Sequence, residues 1–215
     1  MPYPSPVAAA LSGASLGQLQ YWRAGGDSAL LAPELPRAGG RVLYSFRDVI
    51  ALRTFVFLRE SVSLQRVRKA VYTLRELGNT AHLSQYRLVT EGSSIVLLPP
   101  DGDVAIDLVE QPGAGRLAGT LGEVFAPFTN QRGDQVVDLL RPRRHLAVDP
   151  ETLGGYPIVS GTRVAFDSVA SLVRDGVGPA EIKGFYPSVS AAGARDATDF
   201  ADEVDRYRSG DLEVA

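Results

Sequence analysis

Ser15-Leu16-Gly17-Gln18-Leu19-Gln20-Tyr21-Trp22-Arg23, followed by Ala24-Gly25-Gly26, is the stretch on which the reading of the amino-terminal part turns. A serine ahead of an apolar-periodic run accepts a backbone N–H and starts a helix, and a glycine pair stops it. Leu16, Leu19 and Trp22 share one helical stripe, which reads as core. Upstream, a short helix is predicted from about Pro6 to Leu11 and ends at Ser12-Gly13-Ala14. Two short helices across a tight turn form a helix-turn-helix, whose second member fits the major groove of DNA. Off the stripe, Gln18 and Gln20 carry groups for base edges or phosphates, the Tyr21 hydroxyl can donate to a phosphate, and Arg23 can pair with one.

Working outward, Met1 to Pro6 reads as a proline-rich arm. Pro33, Pro36, Gly39-Gly40 and the alternating Val42-Leu43-Tyr44 predict a small two-stranded wing carrying Arg37 and Arg41. Ser45 with Asp48 three residues on is a capping box opening a helix to about Glu60. Ser63 opens another, with Leu64, Val67, Val71 and Leu74 on its apolar stripe and Gly78 at its end. Arg66, Arg68, Lys69 and Arg75 lie largely outside that stripe, equally suited to a solvated face or to phosphates.

Beyond Gly78 the pattern turns β-rich. Tyr86 to Thr90, Ile95 to Leu98 and Val104 to Val109 predict a three-stranded meander; Leu117, Leu121, Val124 and Phe125 predict a short amphipathic helix; Val136 to Leu140 predicts a further strand, and Arg141-Pro142-Arg143-Arg144 a hinge. In the last segment, Asp167 or Ser168 caps one helix, Pro179 opens a second, and Ser190 caps a third rich in acids. The expected fold class is α+β, in three units: residues 1–80, 81–142 and 143–215.

The net charge of −3 conceals an asymmetry. Residues 1–90 hold eleven Lys and Arg against five acids, whereas the remainder holds eleven against twenty. A basic half suits a polyanion and an acidic half a basic partner surface. With no cysteine and only His82 and His145, disulfides and thiolate or histidine-rich metal sites are excluded. No signal or membrane-spanning run is read, so the chain is expected in the cytoplasm. Catalytic constellations are missing too. Gly154-Gly155 and Gly161-Thr162 lack the lysine of a phosphate-binding loop, and Asp199, Asp202, Glu203 and Asp205 crowd one helix as a solvated acidic face. The chain is therefore read as a non-enzyme without a cofactor.

The stretches 14–26, 30–33 and 41–50 together resemble the MerR-type winged helix. The resemblance implies a DNA-contacting set of Ser15, Gln18, Gln20, Tyr21, Arg23 and Arg41, with Arg47 as a further phosphate contact beside the wing residue Arg37. Gln20 and Arg23 stand where that family usually has arginine and an acid, and strands follow Gly78 instead of its long dimerising helix. From about Arg144 to Arg208, Gly154-Gly155-Tyr156-Pro157, Gly161-Thr162-Arg163 and Tyr186-Pro187 resemble a small helical domain of VapB-type antitoxins. The two resemblances together imply a homodimeric antitoxin that binds operator DNA and neutralises a PIN-like ribonuclease toxin. Arg163, Tyr186, Asp199, Asp202 and Glu203 are its candidate partner contacts, Arg163 serving alternatively to tie its own turn. The other reading is a stand-alone MerR-like regulator with a small-molecule pocket at Tyr86, Val96 and Phe125.

Overall fold

The structure, a computed structural model, describes residues 1–26, 29–78, 81–98, 104–113, 115–117 and 124–209. It is of the α+β class. Strand β1 (Tyr3–Pro4) leads into α1 (Ser5–Ser12), and α2 (Leu16–Arg23) follows across a three-residue turn. Strand β2 (Leu43–Tyr44) precedes α3 (Phe46–Leu58) and α4 (Leu64–Glu76). The predicted cap Ser15 starts α2, where it forms a full capping box with Gln18, a residue read from sequence as a DNA contact, and the predicted capping box of Ser45 with Asp48 starts α3. Ser63 takes the N-cap position of α4 without a side-chain bond.

The wing differs from expectation. Only a single antiparallel bridge, Ala38 with Arg41, closes around Gly39-Gly40, and β2 pairs with the arm, Tyr3 opposite Tyr44 and Pro4 opposite Leu43. The arm is thus a strand, and Tyr3 is wholly buried. A two-residue glycine turn seals only one rung, so β2 takes the partner that also buries two tyrosines.

Four strands, β3 (Arg87–Glu91), β4 (Ser94–Leu98), β5 (Val104–Asp107) and β6 (Gly115–Leu117), form an antiparallel meander in that order. Leu117 therefore belongs to a strand rather than a helix, while Leu121 lies outside the described residues. Val136 pairs in a hairpin of β7 (Phe128–Thr129) with β8 (Gln135–Val136), and residues 137–140 are not strand. Two short strands, β9 (Leu146–Ala147) and β10 (Ile158–Val159), open the last segment, followed by α5 (Phe166–Arg174), a 3₁₀ turn at Glu181–Gly184 and α6 (Ala191–Ser209). The helix expected from Pro179 is that single turn, with Tyr186-Pro187 too close behind to allow elongation. The N-cap of α5 is Ala165, not Asp167 or Ser168, because Asp167 accepts the Tyr156 hydroxyl at 2.8 Å instead.

One cluster of buried side chains runs from Tyr3, Leu11 and Trp22 through Phe55 and Leu139 to Phe166, Phe200 and Tyr207. Within it α6 packs against both α5 and α1. Gly13, at φ 76° after α1, shows how close the parts lie: a β-carbon there would run into Val136. Among the described residues no helix is long and apolar enough to cross a membrane.

Candidate nucleic-acid interface

Helix α2 is built to present one face. Leu19 and Trp22 are 1% exposed, with the indole edge-on to Phe55 at 5.8 Å, so the apolar stripe is core as read. Ser15 and Gln18 serve the helix itself. Gln18 N–H donates to Ser15 Oγ at 3.1 Å, and Gln18 Oε1 accepts from Ser15 N at 2.8 Å and from Arg132 Nη1 at 3.0 Å. Arg132 also donates to the Gly13 carbonyl and pairs with Asp134, which clamps the turn between α1 and α2.

Gln20 and Tyr21 face outward, the latter 56% exposed. Arg68 of α4 lies over the Tyr21 ring at 4.9 Å, a cation–π contact joining the two helices into one surface, with exposed Tyr72 one turn further along α4. The four α4 cations thus separate. Arg66 turns away to the Ser93 carbonyl and Glu110, Arg75 donates to the Ala29 carbonyl at 3.1 Å, and Lys69 is exposed.

Of the remaining predicted residues, Arg23 is half-buried with its Nη1 3.5 Å from the Tyr44 hydroxyl. Burial pushes the Tyr44 phenol up, while neighbouring Arg23 pulls the other way. Arg37 and Arg41 are exposed on the bridged loop, and their side chains have no hydrogen-bond or ion-pair partner among the described residues. Arg47 pairs with Glu34 at 3.0 Å and brings less free charge.

Glu34, buried Asp48 and His82 bring potential metal-ligand atoms within 4.8 Å of one another. Their atoms already have protein partners: Asp48 accepts from Ser45 N at 2.7 Å and lies 3.1 Å from His82 Nε2, and Glu34 holds Arg47 and the Ser45 hydroxyl. The arrangement is a hydrogen-bonded knot fastening the turn at His82 to α3. His82 is therefore held, half-buried, within this joint.

At the carboxy-terminal end the predicted partner residues are dispersed. Arg163 is exposed, and it is the Thr162 side chain that helps tie the turn, donating to the Val159 carbonyl at 2.8 Å and accepting from Val164 N at 3.0 Å. Tyr186 packs half-buried beside Phe185, which is 57% exposed. Glu203 and Asp199 both hold Arg143, with Glu203 buried; Asp202 and Asp205 hold Arg174 at 2.6 and 2.8 Å. Burial works against the Arg143 charge, but the two carboxylates more than offset it and hold its pKa above the ordinary value. The acidic face of α6 is thus substantially neutralised within the chain.

A residue missed from sequence, Arg53 of α3, is fully buried and donates to the carbonyls of Leu11, Val124, Phe125, Ala126 and Val137. It joins the end of α1 to the 124–137 segment. Desolvation pulls its guanidinium down to about 10.

A short helix, a clamped turn and a capped second helix with an outward polar face define a helix-turn-helix protein of mixed α and β structure. Comparison with known proteins agrees. The chain is 30% identical over 156 residues to the uncharacterized HTH-type transcriptional regulator Rv1830 of Mycobacterium tuberculosis, covering 67% of each chain, and equally to its counterpart Mb1861 of Mycobacterium bovis. The chain belongs to this family of HTH-type transcriptional regulators. Residues 146–201 match the family described as protein of unknown function DUF433. The crystal structure of Rv2018 from Mycobacterium tuberculosis superposes with a TM-score of 0.54 at 14% identity, covering 92% of this chain and 97% of that one, a likeness of fold.

Proposed function

We propose that the chain is a DNA-binding repressor that acts as a homodimer on an operator, with α2 in the major groove and the Ala38–Arg41 loop against the flanking backbone. The carrying observation is the outward face of Gln20 and Tyr21 with Arg68 stacked on it, alongside the uncommitted Arg37 and Arg41. Gln20 offers paired donor and acceptor groups for a base edge, and the cations suit phosphates. The test is the salt dependence of full-chain binding to the DNA upstream of its own reading frame. Arg41→Ala and Arg68→Ala each reduce the slope of log K against log salt by about 0.9, and Gln20→Ala relaxes base preference. Unchanged slope and affinity in the two arginine variants, tested on folded protein, refutes the interface.

The finer proposal is that this repressor is the antitoxin of a PIN-like ribonuclease, held through the carboxy-terminal segment. Exposed Arg163 and Phe185, beside Tyr186, support this more than Asp199, Asp202 and Glu203, whose charges are spent on Arg143 and Arg174. Co-expression with the neighbouring reading frame tests it. Co-purification with loss of ribonuclease activity, both weakened by Arg163→Ala with Phe185→Ala, is expected; a free, active nuclease refutes it. The regulator with a ligand in the middle segment draws on a cavity of about 260 Å³ lined by Tyr86 and Phe125. That volume is below the usual ligand-site range, and Val96 packs elsewhere, against Leu98 and Ala105.

A further inference from the structure

A hollow of about 490 Å³ opens between the bridged loop, the amino-terminal strand and the carboxy-terminal segment. Its volume is that of a small-molecule site. Pro2, Leu35, Pro36, Leu43 and Phe46 wall it with carbon, Met1 lines it with its ammonium turned to the Leu153 carbonyl, and among the described lining residues Arg37 has the one charged side chain. Arg37 is exposed and has no hydrogen-bond or ion-pair partner among the described residues, in contrast to nearby Arg47, which Glu34 holds. A planar fork of donors on an apolar wall matches one ligand chemistry: a carboxylate on a hydrophobic body.

A second feature marks the same place. The rim is completed by Gly154, and its neighbour Leu153 is held at φ 51°, a left-handed conformation a leucine seldom adopts. The segment is closely packed around it: the Leu153 carbonyl accepts from the Met1 ammonium, and a β-carbon on Gly155 would lie 2.8 Å from the Tyr3 hydroxyl and 2.9 Å from the Phe46 ring. Backbone strain of this kind persists where neighbouring packing over-determines it, and it gathers at ligand clamps.

We propose that this hollow binds a small amphipathic carboxylic acid, with its carboxylate on Arg37 and its apolar body against Phe46, Leu43 and the two prolines. Arg37 is also a candidate phosphate contact, so ligand and operator compete for one guanidinium and the acid acts as an inducer. That consequence rests on the operator-binding reading; the binding itself does not.

The experiment is calorimetric titration of the full chain, without DNA, using decanoate and its uncharged counterpart decanamide as probes. Decanoate binds, and Arg37→Ala weakens it by about tenfold or more while leaving decanamide unchanged. Arg37→Lys keeps part of the decanoate affinity, and Leu35→Asp, which sets a carboxylate into the wall, abolishes it. Melting curves of each variant confirm that the fold is intact. Failure of decanoate to bind the native chain, or equal binding by the native chain and Arg37→Ala, overturns the proposal whatever the outcome of the operator assays.

Discussion

Replacing Arg53 by methionine keeps the volume of the side chain and removes every donor it offers. Four carbonyls, those of Leu11, Val124, Ala126 and Val137, lose their bond, and Phe125 loses a longer one at 3.3 Å. A buried acceptor left without a donor costs about 1–3 kcal/mol. Methionine returns the cost of dehydrating a guanidinium, on the order of several kcal/mol. The balance is a net loss of about 3 kcal/mol, or a fall in Tm of about 6–12 °C for a chain of this size. Trp22 is the single tryptophan and packs on Phe55 of α3, the helix that carries Arg53, so urea titration followed by its fluorescence reads the change directly. Arg53→Lys keeps the charge but not the fork, and is expected to lose nearly as much. A loss below about 1 kcal/mol for methionine refutes the view that these carbonyls depend on Arg53; full rescue by lysine shows that charge alone suffices.

Three other outcomes are expected. Arg143→Ala leaves the carboxylate of buried Glu203 without its partner and lowers stability by about 3 kcal/mol in urea melts, and Glu203→Gln in the same chain restores part of it; additive losses contradict the pairing. Gly155→Ala forces a side chain into the left-handed region and against Tyr3 and Phe46, so a loss of about 1–3 kcal/mol is expected, and an unchanged Tm contradicts that packing. Burial raises the phenol pKa of Tyr3, Tyr44, Tyr156 and Tyr207, the last to about 12. The unfolded chain releases these protons first, near pH 10, so their contribution is complete below about pH 10 and is lost as pH climbs toward 12. Urea midpoints that stay level across that interval rule it out.

Legibility followed the range of the interaction. Ser15 with Gln18 and Ser45 with Asp48 close their bonds within four residues, so the starts of α2 and α3 could be read from spacing. Tyr3 pairs with Tyr44 across forty intervening residues, and no local pattern announces that an arm is a strand. The outward set on α2 was visible as polar positions off a stripe, yet Gln18 was spent on Arg132, more than a hundred residues away. Arg53 stood in an apolar helix as an anomaly, but carbonyl partners carry no sequence signal. The same holds for the α6 acids: their periodicity showed a face, while Arg143 and Arg174, which occupy it, come from distant segments.

The packing of α6 on α1 ties the carboxy-terminal helix to the scaffold that carries α2, the helix proposed to read DNA. Proteolysis near residues 141–145 would strip apolar cover from α1 as well as releasing a tail. If the chain acts as proposed, one cut would end both restraint of the partner and occupancy of the promoter. The lifetime of the intact chain would then be the timer for both.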